Sequence, residues 1–188
     1  VSVAYSYSAN FAIAICEGPI AFIRRIWADG VELDLTRLPI RIYTGDENQT
    51  PDPLIVAKES GAETPAYRGV AYVVFDDLPL APYGNRIPQL TFEVVKPVSG
   101  LGEKIQGVDL IPGATEAGYL PGLKLNFYWP GVSDAENRHQ LTAPTDWIAS
   151  IDALQALCPN LKSVALVVAW FGDDLRAVGN AAAARLAA

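Results

Sequence analysis

Methionine is absent from this chain of 188 residues, histidine occurs once and cysteine twice. A lone histidine, His139, leaves no basis for a His-based metal centre or a Ser-His-Asp triad, since both need imidazole beside partners at set spacings. Cys16 and Cys158 lie too far apart in sequence to read as a metal-type pair. Each is read as a small buried hydrophobe rather than as half of a disulfide. Basic residues are also scarce: 14 Lys and Arg stand against 21 Asp and Glu, for a net charge of −7. Phosphate binding needs a local surplus of positive charge, and Arg24-Arg25 is the only adjacent basic pair, so no direct nucleic-acid contact is expected. No apolar run approaches the ~20 residues that span a bilayer. With Val1 in place of an initiating methionine, the sequence is read as part of a longer polypeptide.

What is present describes a packed protein. The hydrophobic share is 51% and the charged share 19%, which suits one ordinary domain or two small ones and not a disordered chain. The organising stretch is residues 67–97, YRGVAYVVFDDLPLAPYGNRIPQLTFEVVKP. Residues 70–75 are β-branched and aromatic, as in a half- or fully buried strand. In residues 89–95, Leu90, Phe92 and Val94 share one face of a second strand. The connection between them holds three prolines and a Gly84-Asn85 turn, which stiffen it into a shaped contact surface. Asp76-Asp77 is read there as a solvated turn.

Residues 1–35 alternate or run apolar as β-structure, broken at Glu17-Gly18-Pro19. Asp29-Gly30 supplies the positive-φ pair of a hairpin whose return strand covers residues 31–35. Residues 38–43 form another short strand. Residues 44–53 are a polar loop; their acidic cluster lacks the EF-hand spacing, so a solvated loop is preferred to a calcium site. Residues 54–59 suit one or two helical turns. A flexible boundary falls at residues 98–102. Beyond it come a strand over 105–111 and a lone strand-like segment over 123–129. A helix capped by Thr145 then ends at Cys158-Pro159-Asn160. Residues 163–171, SVALVVAWF, are apolar on both faces, the mark of a buried parallel strand. A helix leading into such a strand is one unit of an α/β architecture.

Asp173-Asp174 follows the carboxyl end of that strand, where α/β active sites gather. Two adjacent aspartates suit a metal ligand or an acid/base pair. One of them capping the next helix is the reading we prefer. Gly100-Leu101-Gly102 is no dinucleotide fingerprint, having neither a third glycine nor a helix start after it. We therefore assign no catalytic, cofactor-binding or metal residues, and no cofactor.

Several blocks together resemble one family: NFAIAICEGPIAFIRRIWADG, PDPLIVAKESG, PAYRGVAYVVFDDLPLAPYGNRIPQLTFEVVKP, IPGATEAGY, ENRHQLTAPTDW and ALQALCPNLKSVALVVAWFGDDLRA. They are similar to the baseplate hub, or tail-tip, protein of gene transfer agents and related long-tailed phages. CEGPI occurring with YRG and PYGNRIPQLTFEV is the specific part. The resemblance implies an α+β chain: a β-rich tail-hub domain of mixed or antiparallel strands at residues 1–98, then an incomplete α/β, TIM-barrel-like segment at 99–188. A (β/α)₈ barrel needs about 250 residues, so one or two of its units are present.

The resemblance further implies a structural, non-enzymatic virion component. It would close the tail tube as a homotrimer, organise cell attachment and DNA delivery, and contact the distal tail protein, the tape measure protein and other baseplate proteins. The alternative is a cell-wall glycan hydrolase or carbohydrate-binding module, with Asp173 or Asp174 as the acid.

Overall fold

The computed structural model describes residues 5–59, 64–98, 100–111 and 117–168. The chain divides into two compact units, residues 1–97 and 98–188.

In the first unit, β1 (Ser8–Glu17), β4 (Ile40–Tyr43) and β5 (Val70–Pro79) form one antiparallel sheet in the order β1-β5-β4. A second antiparallel sheet has the order β3-β2-β6, from β2 (Phe22–Ala28), β3 (Val31–Glu32) and β6 (Leu90–Val95). Ile23, Ile26 and Ala28 of β2 share a buried cluster with Ala71, Val73, Phe75 and Leu78 of β5. The Phe11 ring stacks on Phe75 with centroids 4.8 Å apart. Leu90, Phe92 and Val94 pack against the same cluster, on the face that their alternation predicts. The fully buried Ile26, Val73 and Phe75 side chains each contribute about 1.5–3 kcal/mol.

The central strand β5 is buried on both faces from Ala71 to Phe75. It continues to Pro79, which corrects the reading of Asp76-Asp77 as a solvated turn. The pairing Ala9↔Leu78 passes to Phe11↔Phe75, so Asn10 alone opposes Asp76 and Asp77. This is a β-bulge. Asp77 takes φ 63° there. Asn10 Oδ1 accepts the Asp77 N–H, Ser8 donates to the Asp77 carboxylate, and Arg41 donates to Asp76 at 2.9 Å. Partners on both neighbouring strands thus keep two aspartates inside a ladder.

The hairpin at Asp29-Gly30 forms as expected, with φ 49° and 83° at its two central residues. Its return strand is shorter than predicted. Leu33 N–H still reaches Ile26 O at 2.8 Å, but the Asp34 carboxylate then accepts from the Thr36 N–H and hydroxyl and turns the chain away. Helix α1 (Pro53–Lys58) starts with Asp52 as N-cap and Pro at N1.

In the second unit, β7 (Gly107–Leu110) pairs in parallel with β10 (Ser163–Leu166), and helix α2 (Asp146–Leu157) lies between them in sequence. The helix starts at its predicted cap: Thr145 Oγ1 accepts from the Ile148 N–H. The strand is parallel, but its expected burial is not seen. All four residues of β10 are exposed. Among the described residues this sheet has two strands, so β7 is the only neighbour given to β10. Residues 169–171 of that predicted strand lie outside the described residues.

The segment read as a lone strand is half of a hairpin, β8 (Leu125–Trp129) with β9 (Val132–Ala135). Pro130-Gly131 makes the turn, with Gly131 at φ 82°. The polar Ser133-Asp134 within β9 hid its strand character.

Candidate functional site

One constellation in the first unit is a backbone junction built on three glycines. Gly18 N–H donates to Gly69 O at 2.8 Å, and Gly69 N–H donates to Gly45 O at 3.1 Å. Ile20 N–H reaches Thr44 O at 2.9 Å. At Gly18 and Gly45 the approach is close enough to exclude side chains, whereas Gly69 is set by its φ of 80° and not by lack of space. A Cβ on Gly18 would lie 2.6 Å from Thr44 O and 2.7 Å from Gly45 Cα; one on Gly45 would lie 2.9 Å from Gly18 Cα.

Gln49, only 5% exposed, holds the junction from within. Its Oε1 accepts the Gly45 N–H at 2.7 Å, and its Nε2 donates to Ala66 O at 2.8 Å and Tyr67 O at 3.0 Å. Arg68 Nε donates back to Gln49 O at 3.2 Å. A buried amide satisfied on both sides specifies its surroundings, because each lost partner would leave a dry polar group.

Next to the junction is an ionic network. Asp52, fully buried, accepts from Arg41 Nε at 2.6 Å, Tyr43 Oη at 2.8 Å, and the N–H groups of Leu54 and Ile55. Burial alone would push its carboxyl up. The hydrogen bonds from Arg41, Tyr43 and the helix start outweigh that and hold it below the usual carboxylate range. The hydrogen bond to Asp52, with Asp76 as second partner, raises Arg41 above its ordinary value.

Tyr72 stacks on Tyr43 at 4.4 Å and meets the edge of Tyr67 at 5.7 Å. Its hydroxyl is buried without a hydrogen-bond partner among the described residues, and burial pushes its pKa up to about 12. The acidic loop tested by sequence for calcium therefore contributes an ion pair and a helix cap. Among the described residues no three His, Cys, Asp or Glu side chains gather as a metal site. Sequence reasoning missed this network. Its signals were Asp52-Pro53 ahead of a short apolar run, and a charged Arg41 inside an otherwise apolar strand.

The proline-stiffened connection is anchored to the β2–β3 turn. Arg86 Nη2 donates to Asp29 Oδ2 at 2.8 Å, and Gln89 N–H donates to Asp29 Oδ1 at 2.9 Å. The Gln89 hydrogen bond and the Arg86 cation hold Asp29 below its ordinary pKa, against a smaller opposing effect of burial. Within the connection a 3-10 turn over Ala81–Tyr83 ends at Gly84 in the left-handed region, followed by Asn85 at φ 58°. The surface so shaped exposes Ile87 beside Arg86, and Val31 projects from the anchoring turn.

In the second unit Asn137, 2% exposed, plays the part that Gln49 plays in the first. Its side chain accepts from Lys124 N–H at 2.9 Å and donates to Gly122 O at 2.8 Å; its carbonyl accepts the Asp146 N–H. This mounts the β8–β9 hairpin on the start of α2 with Phe127, Tyr128 and Trp129 exposed. His139, the lone histidine, pairs with Asp146 at 2.6 Å.

Cys158 is buried, as read from sequence, but Cys16 is exposed and both are free. Cys16 falls on the outward side of β1 with Ala12 and Ala14, whereas Phe11, Ile13 and Ile15 alternate inward. Asp173 and Asp174 lie outside the described residues.

No family model matches this chain, and no curated protein matches it. A chain in the solved structure of the virion of a native gene transfer agent particle is similar to it, 54% identical over 50% of this chain with a TM-score of 0.46. This chain spans 22% of the length of that virion chain.

Proposed function

We propose that this chain is part of a structural virion protein, the hub subunit at the tail tip of a gene transfer agent or phage-like particle. It works by assembly: copies associate as a homotrimer that closes the tail tube and meets the distal tail protein and the tape measure protein. The work is mechanical, not catalytic.

One observation carries the reading. The blocks that make the family resemblance specific are the ones that the fold needs at its glycine junction and at the Arg86–Asp29 anchor. CEGPI supplies Gly18, YRG supplies Arg68 and Gly69, and PYGNRIPQLTFEV supplies the turn, the Arg86 anchor to Asp29 and the core face of β6. Residues that interlock in this way are ones that a framework of this kind would require, which supports the resemblance. The 54% identity to a chain of a gene transfer agent virion agrees with it. In this reading the exposed edge of β1 and the Arg86–Ile87 surface face neighbouring subunits. Residues beyond 98 open a TIM-barrel-like domain, to which the parallel β7–β10 pair and α2 belong.

Gold labelling of the chain in intact native particles, with the mass and stoichiometry of the full-length protein, tests the proposal. Label at the tail tip with three copies per particle is expected. Label on the capsid wall, or a lone monomer that ignores tail components while cutting glycan, overturns it.

A further inference from the structure

We draw no further inference here: the strongest candidate, the exposed aromatic face of the β8–β9 hairpin at Phe127, Tyr128 and Trp129, carries nothing because nothing in the structure shows what covers it.

Discussion

Replacing Asp52 separates two contributions that meet at one carboxylate. Asparagine still caps α1, because its side-chain oxygen accepts the Leu54 and Ile55 N–H groups as the carboxylate does. It lacks the charge that answers Arg41 and the second oxygen that takes the Tyr43 hydroxyl. Breaking a buried pair costs about 3–5 kcal/mol when the partner is stranded. Arg41 is not wholly stranded, since its side chain is 32% exposed and keeps Asp76. We therefore expect Asp52→Asn to cost about 2–3 kcal/mol and Asp52→Ala about 1 kcal/mol more, the value of a lost cap.

Urea unfolding followed by circular dichroism measures both, with an unchanged slope expected. The pH dependence provides a second reading. The folded carboxyl sits below its unfolded value of 3.8, so its stabilisation is fully present above that value. It is lost as pH falls through the lower folded pKa. The parent should weaken over that acid range and Asp52→Asn should not share this component. An Asp52→Asn variant within 0.5 kcal/mol of the parent would refute the reasoning, since desolvation would then cancel the ion pair.

The glycine junction makes its own prediction. Gly18→Ala should cost at least ~3 kcal/mol, because its Cβ meets only backbone. Gly30→Ala, open on all sides but at φ 83°, should cost about 1–2 kcal/mol; thermal melts of both variants distinguish overlap from strain. Tyr72→Phe removes a buried hydroxyl with no partner among the described residues, so its melting temperature should equal or exceed the parent's. Because the folded Tyr72 pKa is raised from 10.0 to about 12, the parent should lose stability as pH rises from 10 to 12, and Tyr72→Phe should flatten that decline. Asn137→Ala strands the Lys124 N–H and two carbonyls. It should cost about 2–4 kcal/mol and speed hydrogen exchange of the β8 and β9 amides; unchanged exchange would show that Asn137 does not mount the hairpin.

Much of this architecture is a local property of the chain. Alternation over residues 90–95 selects the core face of β6, Asp29-Gly30 requires positive φ and so closes a hairpin, and Thr145 starts α2. Each follows from interactions within a few residues of sequence. Tertiary structure decided the rest. Asp76 and Asp77 read as turn residues until Arg41, Asn10 and Ser8 arrive from strands about 35 to 70 positions away. Cys16 reads as buried until β1 takes its place at a sheet edge with an outward face. The part played by Gln49 is invisible locally, because its amide binds backbone groups 4, 17 and 18 residues distant. Sequence alone sets φ preferences and periodicity; which polar group finds which partner depends on distances that exist only once the two sheets have packed.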